Sequence, residues 1–234
     1  MQNLRFNIFN NIHKALRAML YDTSLTIQKT DFTNEQEANI ALQKLELAVG
    51  TFEDHAMHED SHIIPILETE APGLALSFEN EHVEDHRLGA ALVESMQNFR
   101  EQTDPENKRR TGYQILLAFQ EFVAFNLYHM NREERMINPV LWEFLSDEEI
   151  FLINVNIVRS IPAEKSLIPT TWMLRALSED EIIAWFQKAK ATSPQHIFSA
   201  LCDLAKKELS ADTWYHLRNQ LELPSMAGEY STLL

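Results

Sequence analysis

The residues best suited to chemistry occur in two matching turns of the chain. Residues 55–65 read HAMHEDSHIIP, and residues 129–139, which start 74 positions later, read HMNREERMINP. In each turn a Glu follows a His by four residues and a Pro follows that Glu by six. Side chains four positions apart lie on one face of an α-helix, so each turn presents an imidazole beside a carboxylate, which suits metal chelation. The pairs are His55 with Glu59 and His129 with Glu133.

Three more histidines lie on other predicted helices and complete a candidate ligand set. His13 borders the apolar stripe of the first helix, and His82 and His86 lie four residues apart on the third. Imidazole and carboxylate donors without a thiolate suit iron or manganese and could also hold zinc. Two metal ions could use all of these donors, with the two carboxylates bridging them. The predicted metal ligands are His13, His55, Glu59, His82, His86, His129 and Glu133.

Two further histidines near the first turn leave an alternative open. His58 and His62 are also four residues apart, so the second helix carries a second pair of this spacing. We expect His58 to be exposed. His62 lies one turn further along the face of His55 and Glu59, and it is a candidate neighbour of the site.

A ferritin-like arrangement is a second alternative. Glu59 with His62, and Glu79 with His82, match the Glu-x-x-His spacing of di-metal bundles of that kind. That interpretation needs the same spacing on the fourth helix, and residues 115–138 lack it.

Apolar residues that recur at three- and four-residue steps predict an all-α fold. The small numbers of Gly (five) and Pro (eight) also favour long helices over a many-stranded β fold. We expect Pro65 and Pro139 to end the two helices that carry the matching turns, and residues 68–73 to form a turn. The four long helices are predicted over about 4–26, 33–64, 75–101 and 106–138.

The pattern changes after residue 145, which predicts a division into residues 1–145 and a helical C-terminal extension of unknown role at 146–234. Capping boxes at Ser146 with Glu149 and at Ser178 with Glu181 mark two helix starts. Ser193 followed by Pro194 predicts a third start, and we expect the tail from residue 224 to be loosely held. The short helices are predicted near 147–158, 168–176, 179–190, 194–209 and 211–222.

Composition excludes several classes of function. The net charge of −15 argues against non-specific binding to nucleic acid or to an anionic membrane, because both need a basic surface. No stretch is apolar for long enough to span a bilayer, and the N-terminus does not resemble a signal peptide, so we expect a cytoplasmic protein. The single cysteine, Cys202, cannot form a disulfide framework within one chain.

Four segments together resemble the hemerythrin-like (HHE cation-binding) family over about residues 5–142. The segments are IHKALRAML, HAMHEDSHIIPIL, EHVEDHRLGAAL and HMNREERMINPV. The resemblance implies an up-down-up-down four-helix bundle. It also implies two iron ions, joined by an oxo or hydroxo bridge and by two acidic residues. Respiratory hemerythrins usually place an Asp five residues after the fourth-helix His; Glu133, four residues after His129, matches the broader group with iron-sensing and iron-centre-repair relatives.

The resemblance and the donor set together predict a protein that binds or senses O2, NO or iron. A site that leaves one coordination position open among apolar side chains favours a diatomic ligand over a large substrate. Candidates for its walls are Phe9, Leu16, Phe122 and Met130, with Asn126 as a residue that orients a ligand. The C-terminal helices are candidates to contact a second copy of the chain or another protein.

Two other functions remain alternatives. A di-iron oxidoreductase that reduces peroxide or NO, or that oxidises Fe(II), would need a reactive side chain near the site. Tyr128 adjoins His129 but is expected to point away from the ligand face. An iron-centre-repair protein often carries a Cys-bearing N-terminal segment, and the single cysteine here is at position 202.

Overall fold

The computed structural model describes residues 5–223, and within that range every regular element is an α-helix, which confirms the predicted all-α class. The chain divides into two compact units, the first ending at Pro169 and the second beginning at Thr170, inside α7. The helices are α1 (Asn10–Lys29), α2 (Glu35–His62), α3 (Ile64–Glu70), α4 (Pro72–Arg100), α5 (Pro105–Phe144), α6 (Asp147–Ser160), α7 (Ala163–Ala176), α8 (Glu179–Thr192), α9 (Gln195–Glu208) and α10 (Ala211–Gln220).

Four long helices of the first unit form a helical bundle around the candidate ligands. Helix α1 packs against α2 and α5, and α4 also packs against α2 and α5. Their apolar faces form two separate clusters of buried side chains, one containing Leu16 and Phe52 and the other containing Phe9 and Ile63. His13 lies between Phe9 and Leu16 in the sequence, and Glu59 lies between Phe52 and Ile63. The candidate ligands therefore occupy a polar layer between two apolar ones.

The start of α1, three residues before His13, is fixed by contacts with the end of α5 and the start of α6. Arg5 donates hydrogen bonds to Asp147 and to the backbone carbonyls of Trp142 and Leu145. The side-chain Oδ1 atom of Asn7 accepts hydrogen bonds from the backbone N–H groups of Phe9 and Asn10, and from the side chain of Asn138 on α5. These bonds set where the helix that carries His13 begins.

The prediction that a proline ends each of these helices is confirmed for α2 and wrong for α5. Helix α2 ends at His62, but Pro65 lies in the first turn of the short helix α3, which reaches Glu70 and occupies part of the predicted 68–73 turn. Helix α5 continues through Pro139 to Phe144. A proline in a helix removes one backbone hydrogen bond, and here Ile137 and Leu141 on either side are buried in the apolar cluster, which holds the helix in place.

The second unit, described from Thr170 to Leu223, has an apolar core of its own around Leu174, Phe186, Phe198 and Leu217. Both predicted capping boxes are present, the one at Ser178 on α8 and the one at Ser146 on α6 of the first unit. Helix α9 starts one residue later than predicted, because Pro194 occupies the cap position. The tail at 224–234 lies outside the described residues.

Asn34 caps α2: its side chain accepts hydrogen bonds from the backbone N–H groups of Gln36 and Glu37. No helix within residues 5–223 is both long and apolar enough to cross a bilayer.

Gly112 on α5 gives a test of the packing between α5 and Phe32, which lies between α1 and α2. A Cβ atom at this position would lie 2.2 Å from the ring of Phe32, so we expect Gly112→Ala to destabilise the protein by about 1–3 kcal/mol through overpacking. Gly50 on α2 has no neighbour within 4 Å of such an atom, so Gly50→Ala should stabilise by about 0.5–1 kcal/mol. Urea unfolding of both variants measures the difference, and equal stability of the two would contradict the packing.

Candidate metal centre

Six of the seven predicted ligands come together inside the first unit, in two groups that share both carboxylates. His13 and His55 form what we call the first half-site, and His82 and His129 form the second half-site. Glu59 and Glu133 belong to both half-sites. Within each half-site the candidate ligand atoms all lie within 4.8 Å of one another.

Each shared carboxylate directs its two oxygens to different half-sites. The Oε1 atom of Glu59 is 3.2 Å from Nε2 of His55, and its Oε2 atom is 3.4 Å from Nε2 of His82. The Oε2 atom of Glu133 is 3.4 Å from Nε2 of His13, and its Oε1 atom is 3.0 Å from Nε2 of His129. Two carboxylates arranged in this way can each bridge a pair of cations.

The inward atoms of this cluster lack ordinary hydrogen bonds among the described residues. Both side-chain oxygens of Glu59 and of Glu133 are buried without a hydrogen-bond partner, as are the Nε2 atoms of His13, His55 and His82. Buried polar atoms without partners are costly and uncommon in folded proteins. Seven such atoms in one small volume fit a metal site, because cations would satisfy all of them.

Outer carboxylates fix the orientation of three of the four histidines. The Nδ1–H group of His13 donates to Glu134 at 3.0 Å, that of His82 donates to Asp60 at 2.6 Å, and that of His129 donates to Glu81 at 2.8 Å. These bonds orient each ring so that its Nε2 atom faces the cluster. A carboxylate behind an imidazole in this way raises its basicity as a metal ligand.

A comparison with known families agrees with this geometry. The family model described as Hemerythrin HHE cation binding domain matches residues 5–141. This chain belongs to the hemerythrin family. That membership and the His and Glu groups of the bundle indicate a metal-binding helical protein.

Relatives with a curated description are much longer than this chain. F-box/LRR-repeat protein 5 of Mus musculus is 23% identical over 172 residues, which cover 74% of this chain and 24% of the relative. The protein of the same name in Bos taurus is 25% identical over 172 residues, with the same coverage. The chain thus spans about a quarter of the length of these relatives. No solved structure matches it significantly.

Two of the outer carboxylates of the hemerythrin domain follow a sequence pattern of their own. Asp60 directly follows Glu59, and Glu134 directly follows Glu133. In each pair the first acid faces the cluster and the second accepts a hydrogen bond from a histidine of a neighbouring helix. An acidic residue immediately after each shared Glu was therefore the signal that could have identified both.

Arginines hold two of these carboxylates in turn. Arg17 donates to Glu134 at 2.8 Å, and Arg132 forms an ion pair with Glu81 while its guanidinium lies 5.1 Å from the ring centroid of Phe78. Burial works against ionisation of Glu134, but its bonds with His13 and Arg17 are stronger and lower its pKa to about 2. Glu134 is therefore ionised and held in place by His13 and Arg17.

The histidines differ in their electrostatic surroundings. Burial disfavours the charged form of His82, but its contacts with Asp60, Glu133 and Glu59 outweigh that effect and raise its pKa to about 12. His55 has no outer carboxylate, and burial, only partly opposed by the attraction of Glu59, lowers its pKa to about 4. Among the described residues, the second half-site thus has two outer carboxylates, Asp60 and Glu81, and the first has one, Glu134.

Both shared carboxylates stay ionised despite complete burial. Burial raises the pKa of Glu133, but the surrounding histidines, His129 foremost, bring it well below its usual value. Burial and the charge of Glu133 also raise the pKa of Glu59, yet His55, His13 and His82 lower it overall. Ionised oxygens are the form in which a carboxylate binds a cation.

His86, the seventh predicted ligand, lies away from the cluster. Its side chain is 68% exposed, and its Nδ1 atom is 2.8 Å from Glu53 at the surface. The inward position on this turn of α4 belongs to Asp85, which is 5% exposed and accepts a 2.6 Å hydrogen bond from Asn126. His82 and His86 are therefore not brought together, and Asp85 is a buried residue near the site that the sequence did not reveal.

The remaining candidates fall outside both half-sites. His58 and His62 are half-buried on α2, Glu79 is half-buried on α4, and none of the three joins either group of ligand atoms. Tyr128 is 68% exposed, as expected for a side chain that points away from the ligand face.

Aromatic rings stack on two of the four histidines. Phe9 stacks on His13 with the ring centroids 4.9 Å apart, and Phe125 stacks on His129 at 5.8 Å. Phe9, with the other three predicted wall residues Leu16, Phe122 and Met130, is at most 1% exposed. The cluster is therefore shielded from bulk solvent by apolar side chains.

Proposed function

We propose that the hemerythrin domain of this chain holds two iron ions and binds a small diatomic ligand, O2 or NO, or responds to iron itself. His13 and His55 hold one ion, His82 and His129 hold the other, and Glu59 and Glu133 bridge them. The up-down-up-down order of α1, α2, α4 and α5 belongs to the same proposal. When bound, such a pair of irons supplies a redox-active centre at which a diatomic molecule can bind.

The observation that carries this proposal is the orientation of the two shared glutamates. Each directs one oxygen to the first half-site and one to the second, at 3.0–3.4 Å from a histidine Nε2 atom. A site for a single metal ion would need only one of the two half-sites. Nitrogen and oxygen donors without sulfur favour iron or manganese, and zinc is the other ion that this set accepts.

The surroundings favour binding of a small molecule over turnover of a large one. Larger substrates need a pocket with several polar contacts, whereas the rings of Phe9, Phe78 and Phe125 contact the histidines. With His86 at the surface, each half-site has two imidazoles and two shared carboxylate oxygens. That set leaves room for an exogenous ligand.

Metal analysis of the full chain, loaded anaerobically with Fe(II), tests the proposal. We expect about two irons per chain and a visible spectrum that changes on exposure to O2 or NO, reversibly on their removal. His82→Ala should lose at least one iron because it removes a ligand whose Nε2 atom faces both glutamates. His86→Ala, a change of the same kind four residues away, should keep both irons because its side chain is exposed.

Three results would contradict the proposal. Binding of less than one iron per chain after loading would show that the chain does not hold an iron centre. An unchanged spectrum with both O2 and NO would show that the centre does not bind a diatomic ligand. Loss of iron in His86→Ala together with full retention in His82→Ala would show that a different set of residues binds the metal.

A further inference from the structure

The two half-sites offer a cation the same set of inner donors. Each provides two histidine side chains and one oxygen from each shared glutamate. The inner donors alone therefore give no reason for one half-site to bind its ion more tightly than the other. A difference in affinity then depends on the side chains that stand behind the histidines.

In the second half-site a carboxylate stands behind each histidine, and each of these hydrogen bonds joins two helices. Asp60 on α2 accepts the bond from His82 on α4 at 2.6 Å, and Glu81 on α4 accepts the bond from His129 on α5 at 2.8 Å. Glu81 also forms an ion pair with Arg132 through its other oxygen. Both rings of this half-site are therefore held in a fixed orientation by an acid.

In the first half-site only His13 has such a partner among residues 5–223. Its Nδ1 atom bonds to Oε1 of Glu134 at 3.0 Å, and Arg17 donates to the same oxygen at 2.8 Å. The Nδ1 atom of His55 has no hydrogen-bond partner within the described residues. The His55 side chain is 13% exposed, against 0–7% for the other three histidines. One of the two imidazoles of this half-site is thus oriented by no acid in the described part of the chain.

This difference affects how tightly each half-site can hold a cation. A carboxylate behind a metal-binding imidazole fixes its tautomer and orientation and raises its basicity, and loss of such a partner typically lowers metal affinity by about 10–100-fold. Because His55 lacks one, we expect a weaker first half-site. Repulsion between the two cations acts in the same direction, since it weakens the binding of whichever ion arrives second.

We propose that the two half-sites fill in a fixed order, the one beside His82 and His129 first. The half-site beside His13 and His55 takes up its ion only at a concentration of free metal about 10–100 times higher. Over that range the chain holds one ion, so the first half-site is the part of the centre whose occupancy changes with metal supply. This inference rests on the proposed function, since it assigns an order of binding to the two ions of the same centre.

Calorimetric titration of the metal-free full chain with Fe(II), under anaerobic conditions, tests the order. We expect two binding steps of one iron each, the second about 10–100-fold weaker than the first. Crystals grown with one equivalent of Fe(II) show where the first iron binds. They should give anomalous scattering from iron beside His82 and His129, and none beside His13 and His55.

His55→Ala and His129→Ala are a matched pair, because each removes the histidine that begins one of the two matching turns. His55→Ala should keep the tight step at the affinity of the wild type and lose the weak one. His129→Ala should lose the tight step and keep a weak one. Circular dichroism checks that both variants are folded.

Two outer-shell variants preserve the inner donors and serve if the alanine variants do not fold. Asp60→Asn neutralises the carboxylate behind His82, so it should weaken the tight step by about 10–100-fold and bring the two steps together. Glu134→Gln acts on His13 instead and should move the two steps further apart.

The opposite order would show itself as iron beside His13 and His55 at one equivalent, or as loss of the tight step in His55→Ala. Either result, or equal occupancy of both half-sites at one equivalent, would overturn the inference. Two irons that bind the wild type in a single step would overturn the order but leave the two-iron centre intact. Binding of less than one iron per chain would overturn the proposed function and the order with it.

Discussion

Glu133→Gln is expected to weaken the binding of both metal ions strongly, although it replaces a single oxygen with a nitrogen. Glu133 is fully buried, and its two oxygens face His13 in one half-site and His129 in the other. Glutamine has the same shape but no charge, and its amide nitrogen cannot bind a cation. Because outer-shell changes already cost 10–100-fold in metal affinity, loss of a shared ligand should weaken both sites by about 100-fold or more.

Isothermal titration and metal analysis measure this effect, and circular dichroism checks that the variant is folded. Glu59→Gln should behave in the same way, because Glu59 faces both half-sites too. Glu134→Gln is the control on the next residue; it neutralises the outer carboxylate that His13 and Arg17 share, and it should weaken the first half-site alone, by about 10–100-fold. If Glu133→Gln lost one metal and kept the other at full affinity, the carboxylate would not be a bridge.

Most of the centre could be predicted from the sequence because helical spacing is a local property. A His and a Glu four residues apart must lie on one face of any helix, whatever surrounds it, and two such turns at His55 and His129 made the shared glutamates identifiable. Asp60 and Glu134 are also visible in the sequence, as the residues directly after those glutamates. Their hydrogen bonds with His82 and His13 join different helices, however, so the spacing within one helix did not predict their role.

The orientation of His86 could not be predicted in that way. Relative to His82, the residue three positions later is rotated by about 60° to one side of the helix and the residue four positions later by about 40° to the other. Both are compatible with an inward-facing position, so spacing alone does not choose between Asp85 and His86. The choice depends on how α4 is rotated against α2 and α5, and the hydrogen bond from Asn126 shows that Asp85 faces inward.

The end of α5 also depends on contacts that the local sequence does not reveal. Proline at 139 removes a hydrogen bond, and local propensity alone favours an end there. Burial of Ile137 and Leu141 instead keeps α5 helical to Phe144. The structure also assigns residues 146–169 to the first compact unit, whereas the predicted division followed the change in sequence pattern near residue 145.

Removal of the metal ions is expected to lower the melting temperature of the protein by about 10 °C or more. The inward oxygens of Glu59 and Glu133 have no hydrogen-bond partners, so bound cations would replace contacts that the folded chain does not supply. A ligand that binds the folded state alone stabilises it by about 4 kcal/mol at a concentration a thousand times its Kd. In a domain of this size each kcal/mol changes the melting temperature by about 2–4 °C.

Scanning calorimetry of the loaded protein, before and after treatment with a chelator and a reductant, measures this difference. Glu133→Gln is the control. It should melt at the same temperature with and without the chelator, because it binds the two ions too weakly for their removal to change the melting temperature. His86→Ala should keep the full metal-dependent difference, since its side chain is exposed and paired with Glu53. Identical melting of loaded and chelated wild-type protein would mean that the histidines and glutamates satisfy one another, as imidazolium–carboxylate pairs, as well as any metal does. The buried cluster would then be a structural ion-pair network, and the six residues that the bundle brings together would have no cation to bind.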